Sequence, residues 1–129
     1  MSRRVLIAFG MPLMQEAVKK AALSWLGFDA FFVASDTDML FSALGQRRQD
    51  LVVLEANFPP NGATGALQMI RSNSLNAEVP VIVVVLEMDP NLRDSLMGAK
   101  ADAVILGGYT FEKLRATVDV LKARGRLQF

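Results

Sequence analysis

Glu55, Asn57, Glu87 and Asp89 are the polar residues best placed to do chemistry, because each follows closely on a short apolar run, where a strand would give way to a loop. Groups of this kind could serve a small-molecule sensor or an enzyme. The partners such groups normally work with are missing. The chain has no histidine and no cysteine. That removes the commonest general base, the commonest transition-metal ligand, thiolate and zinc-thiolate chemistry, and disulfides. No lysine stands close by, and Glu55 alone cannot hold a hard divalent cation, which wants several oxygen ligands. The expectation is therefore no catalytic residue, no metal site and no cofactor.

The glycines do not change this. Gly62-Ala63-Thr64-Gly65 lacks the lysine and the length of a phosphate-binding loop, and Phe9-Gly10-Met11 lacks the spacing of a dinucleotide fingerprint. Gly107-Gly108 could let a ligand or a peptide backbone approach closely, or could simply be a turn.

The elements that must position these residues are legible as a rhythm. Five apolar runs, Val5–Phe9, Ala30–Ala34, Leu51–Leu54, Val81–Leu86 and Ala103–Leu106, are rich in Val, Ile and Leu and do not alternate with polar residues. Such strands are buried on both faces, as in a parallel sheet covered by helices. Between them lie amphipathic stretches with helix punctuation. Pro12 opens the first and Gly27 ends it, with Met14, Val18, Ala21 and Trp25 at helical spacing. Ser35 or Asp36 can cap the second, which turns Leu40, Ala43 and Leu44 inward, and a third runs from Gly65 to Ser72 with Leu67 and Ile70 on one side. Asp89-Pro90 starts the fourth, with Leu92, Leu96 and Ala99 inward. Thr110 caps the fifth, with Leu114, Val118 and Leu121 as its stripe. The order βαβαβαβαβα predicts an α/β fold, a flavodoxin-like (βα)5 doubly wound parallel sheet with strand order 2-1-3-4-5. Its functional crevice should lie at the carboxyl ends of the strands, near the switch between strands 1 and 3. The methionines Met11, Met14, Met39, Met69, Met88 and Met97 read as core filler.

The 129 residues fit one domain over 1–129, and 52% hydrophobic with 21% charged residues predicts a packed core. A formal net charge of +1 does not predict a nucleic-acid or membrane binder. The apolar run after Met1-Ser2-Arg3-Arg4 is too short for a secretory segment, and no run approaches the ~20 apolar residues of a membrane span, so a cytoplasmic protein is expected.

Several segments resemble the receiver domain of response regulators, along essentially the whole chain. Arg3-Arg4-Val5-Leu6-Ile7-Ala8 resembles that family's first strand. Asp50-Leu51-Val52-Val53-Leu54-Glu55-Ala56-Asn57-Phe58-Pro59 resembles its third strand and following loop, with a two-residue expansion over 59–65. Val79-Pro80-Val81-Ile82-Val83-Val84 resembles the fourth strand, and Lys100-Ala101-Asp102-Ala103-Val104-Ile105-Leu106 the run into the fifth. The resemblance implies a phosphorylation site of five groups: an acidic pair after strand 1, a phosphoacceptor aspartate ending strand 3, a hydroxyl after strand 4 and a lysine after strand 5. Their counterparts here are Phe9 and Gly10, Glu55, Val85 and Gly107, and the aromatic switch of strand 5 falls on Val104. Departure at every position implies a degenerate member, a pseudo-receiver that binds partners without phosphotransfer. Glu55 could imitate an acyl phosphate with its single charge, or be an ordinary solvated or hydrogen-bonded carboxylate. Phe9 could plug the former metal site, or stand exposed as an anchor for a partner.

The resemblance also implies where partners bind. The face formed by the fourth helix, fifth strand and fifth helix would draw on Leu92, Arg93, Leu96, Lys100, Tyr109, Lys113, Arg115 and Lys122. It would meet a signalling protein, an output domain or a second copy of the chain. Lys113, Arg115, Lys122, Arg124 and Arg126 form a basic docking face or, interrupted by Glu112 and Asp119, a solvated one. Two further readings stay open: a small-molecule sensor or enzyme using the strand-end crevice, and the receiver portion of a longer transcriptional regulator.

Overall fold

Residues 2–60 and 62–127 are described by a computed structural model of the chain. The five apolar runs become β1 (Arg4–Ala8), β2 (Ala30–Ala34), β3 (Leu51–Glu55), β4 (Val81–Val84) and β5 (Ala103–Ile105). All pair in parallel in the order β2-β1-β3-β4-β5, as expected. The helices are α1 (Pro12–Trp25), α2 (Thr37–Gln46), α3 (Gly62–Ser72), α4 (Pro90–Gly98) and α5 (Phe111–Ala123).

Successive strand residues point to opposite faces, and both faces are apolar. Leu6, Val52, Leu54, Val81 and Val83 pack with α2, α3 and α4, while Val5, Ile7, Val53, Ile82 and Val84 pack with α1 and α5. This double burial is why the strands read as unbroken apolar runs. Three helix starts are capped by side chains. The backbone N–H groups of Met39, Leu92 and Lys113 donate to Asp36 (2.9 Å), Asp89 (3.1 Å) and Thr110 (3.1 Å). Asp36, not Ser35, caps α2; the Ser35 hydroxyl instead accepts from the Gln15 amide. Among the described residues no helix is long and apolar enough to cross a membrane.

Several expectations need correction. Helix α3 starts at Gly62 rather than Gly65, because Ala63 and Ala66 are buried and Ala63 N–H donates to Ala56 O at 2.8 Å. The expanded loop is thus partly absorbed into the helix; its Asn61 lies outside the described residues. Trp25 does not face inward but is 66% exposed. Leu26 takes the inward place at the end of α1, where its N–H bonds to Ala21 O at 3.1 Å. The methionines are not core filler. Met11, Met39, Met88 and Met97 are exposed, and Met14 and Met69 are half-buried. Branched aliphatic residues already fill both layers, which leaves the methionines to helix surfaces and strand-end loops.

The amino-terminal end of the sheet is tied together by polar side chains. Asp102 accepts from Arg71 Nη2 at 3.0 Å, Arg126 Nε at 2.7 Å and Val81 N–H at 2.8 Å. Arg71 also donates to the carbonyls of Ala77, Val79 and Lys100. The hydrogen bond that Arg126 donates to Asp102 holds the Arg126 guanidinium above its ordinary range. Buried Asn76 joins α2 to the approach to β3, donating to Leu44 O and Arg47 O and accepting from Gln49 N–H.

Candidate functional site

The opposite, carboxyl end of the sheet is open. Ala8 ends β1, and the next residue, Phe9, turns its ring into the layer under α1 and α5, where it is only 2% exposed. Of the two readings of Phe9, the buried plug describes its position. Gly10 follows, and its N–H donates to Glu55 Oε1 at 2.9 Å across the β1–β3 junction. Glu55 is thus a half-buried, hydrogen-bonded carboxylate at the end of β3. Among the described residues no lysine or arginine lies within ion-pair distance of it.

These residues border a cavity of about 680 Å³. Phe9, Gly10, Glu55 and Gly107 all line it, so the structure brings four of the five mapped positions together. Val85 is not among them. Its side chain is buried in the other apolar layer, with α2, α3 and α4. Asn57 reaches the cavity, whereas Glu87 and Asp89 do not line it and Asp89 is engaged as the cap of α4. The remaining wall is largely apolar, with Met11, Met14, Leu86 and Tyr109. Leu86 and Met88, which follow β4, are each 73% exposed.

A lysine does reach this end of the sheet, contrary to the expectation from sequence. Lys113 Nζ, one turn into α5, donates to Leu106 O at 2.9 Å and lies 3.5 Å from Gly108 O. A Cβ built on Gly107 would sit 3.2 Å from that ammonium. Gly107 and Gly108 both have positive φ, which lets the chain turn under the lysine. The signal was present as Gly107-Gly108 followed at helical distance by Lys113, but nothing local shows that the side chain folds back.

No family model matches the chain. A probable chemotaxis protein CheY from Rhizobium etli is 25% identical over 100 residues, 78% of this chain and 78% of that one. The chemotaxis response regulator CheY4 of Vibrio cholerae superposes with a TM-score of 0.83 at 16% identity, covering 94% of this chain and 99% of that one. A signal receiver domain from Clostridium thermocellum gives a TM-score of 0.81 at 22% identity, with both chains covered in full. The chain has the fold of CheY-like receiver domains. A Pseudomonas aeruginosa histidine-kinase receiver domain, with a TM-score of 0.79, 16% identity and coverage of 93% and 97%, holds a magnesium ion in its active site cleft. The residues at the corresponding place in this chain do not fit such an ion. Glu55 alone brings a carboxylate, one of its oxygens already accepts from Gly10, and Phe9 fills adjoining space with an aromatic ring. Among the described residues no three Asp or Glu side chains gather as a metal-binding group.

The face between α4, β5 and α5 carries a shallow groove of about 360 Å³, with Met97, Val104 and Val120 in it and Arg93 and Arg124 beside them. Of the residues named for this face, Arg93 borders the groove. Leu96 does not, being 1% exposed in the core, and Leu92 is half-buried against the same layer. Lys100 lies near Arg71 at the other end of the sheet, and Tyr109 lines the strand-end cavity. Arg115 and Lys122 are exposed on α5 but outside the groove, and Lys113 bends to Leu106 O. Ala116 and Val120 were missed, although their four-residue spacing on α5 marks a single helical face, whereas Arg124 was named among the basic residues of a docking face.

Tyr109 is the chain's only tyrosine, so its titration is residue-specific. Burial chiefly, and the Glu112 carboxylate secondarily, raise its phenol above 10.0. The folded value exceeds the unfolded one, so the associated stability is present below the unfolded value and is lost as pH rises through the folded one. Ultraviolet titration of the phenol should show a midpoint above 10.0, brought only part of the way back by Glu112→Gln. A midpoint at or below 10.0 would contradict the half-buried position.

Proposed function

We propose that this receiver domain signals without phosphoryl transfer, as a pseudo-receiver that presents its α4–β5–α5 face to a signalling protein, an output domain or a second copy of itself. The observation that carries the reading is the pairing of Glu55 with Gly10 N–H beside a buried Phe9, where phosphotransfer would need a cation site. Val85 offers no hydroxyl, and the Lys113 ammonium is hydrogen-bonded to a backbone carbonyl. Glu55 has neither partner on which a phosphate mimic would pull. The groove with Met97 and Val120 between two arginines supports a partner with apolar anchors and an acidic rim.

A ¹⁵N NMR titration with Mg²⁺ and then beryllofluoride, which stands in for the phosphoryl group, tests this. The expected result is no saturable shift at Phe9, Gly10, Glu55 or Gly107. Saturable shifts there would show a working phosphoacceptor and sink the proposal. The strand-end cavity favours a second reading, in which the input is a small molecule bound where the family handles phosphate.

A further inference from the structure

We infer that the strand-end cavity binds a small organic cation with an aromatic-sized apolar body, its charged head held by Glu55. This rests on the small-molecule reading and goes beyond it by naming the chemistry of the ligand. The volume of about 680 Å³ falls within the ~300–1,000 Å³ typical of small-molecule pockets. It lies at the carboxyl ends of parallel strands beside the β1–β3 switch, where such sheets place their ligands. The space is larger than one basic side chain of a partner protein would fill.

The walls select the body of the ligand. Phe9, Met11, Met14, Leu86 and Tyr109 offer rings and thioethers, a lining suited to an aromatic or polycyclic surface. Leu86 and the neighbouring Met88 are held in water at 73% exposure, an apolar rim that a bound molecule would cover. The charges select the head. Glu55 spends one oxygen on Gly10 N–H and has no ion-pair partner among the described residues. The cation beside Gly107, Lys113, is hydrogen-bonded to Leu106 O, and the other charged groups following β4 are the carboxylates Glu87 and Asp89. Among the described residues Glu55 is the one charged side chain that lines the cavity, so an anionic head would meet its negative charge, whereas an ammonium would gain a charge-assisted hydrogen bond.

The test uses naphthylethylamine, naphthylethanol and naphthylacetate, which share a body and differ in the head. Each is titrated into the full chain by calorimetry and ¹⁵N NMR. The amine should bind at least about tenfold more tightly than the acetate, with shifts centred on Gly10, Gly107, Gly108 and Tyr109. Glu55→Gln keeps the oxygen that Gly10 donates to and should reduce the amine to the affinity of the alcohol. Leu86→Ser, on the exposed rim, should weaken all three compounds alike. Equal binding of amine and acetate, or an amine preference that survives Glu55→Gln, would overturn the cation assignment and leave the ligand reading standing. No binding by any of the three would overturn both. Binding of a lysine-containing peptide but none of the three would give the cavity to a protein partner.

Discussion

Replacing Phe9 with aspartate, the residue type that the family's acidic pair calls for, should cost the domain more than about 4 kcal/mol and create no Mg²⁺ site. The ring is 2% exposed and packs with Val18, Ile7 and Val53 in the layer under α1 and α5. Removing a buried aromatic side chain typically costs ~3–5 kcal/mol. A carboxylate in its place adds the cost of burying charge or of taking up a proton to avoid it. The gain that would offset this is absent, because the new group would have only Glu55 as a companion, and Glu55 is tied to Gly10. Urea denaturation with and without millimolar Mg²⁺ measures both halves. A loss below about 1 kcal/mol together with Mg²⁺-dependent stabilisation would mean that the cleft can be reopened and that Phe9 is not a structural plug.

Asp102→Ala should cost about 3 kcal/mol at the opposite end of the sheet. The side chain is largely enclosed, and its removal leaves three donors, on Arg71, Arg126 and the Val81 backbone, without their acceptor. Breaking a buried pair from one side is the expensive case, since the surviving charge stays where water reaches it poorly. Arg71 keeps its carbonyl acceptors, which holds the loss below the upper end of that range. Asp102→Asn keeps an acceptor and should lose about half as much. Equilibrium unfolding of the two variants decides the matter. Equal losses would make charge the whole of the contribution, and losses under about 0.5 kcal/mol would mean that water replaces the carboxylate without penalty.

The sheet order and helix count could be read from the sequence because a doubly covered parallel sheet needs apolar residues on both strand faces. Val5 to Ala8, Leu51 to Leu54 and Val81 to Val84 could hardly serve another arrangement. Caps were equally local, so Asp89 and Thr110 were recognisable in place. The site was only half legible. Phe9, Gly10, Glu55 and Gly107 were located by their positions at strand ends, and four of the five mapped residues do meet at one cavity. What sequence could not give was the side-chain traffic between elements. Lys113 folds back on Leu106, Arg71 and Arg126 meet at Asp102 from 31 and 24 residues away, and Trp25 yields the inward place to Leu26. The exposed methionines were misread for the same reason. Helical or strand periodicity tells which face a residue occupies, but not whether that face is already full.

The polar ties at the amino-terminal strand ends have a consequence for how the domain opens. Asp29, Asp50, Asn76 and Asp102 each bind the backbone of a distant segment there, with Arg3, Arg4, Gln49 and Val81 as donors. At the other end, Gly107 and Gly108 turn the chain, and the short edge strand β5 leads into a partly exposed loop. Local stability should therefore fall along each strand, like a fan riveted at one edge. The loops after β4 and β5 are tied to each other, Gly107 N–H to Glu87 O at 3.3 Å and Gly108 N–H to Val85 O at 2.8 Å, so they should open together while the riveted edge stays shut. An excursion wide enough to admit a molecule at the strand ends need break only the bonds of that looser edge and not the cooperative core.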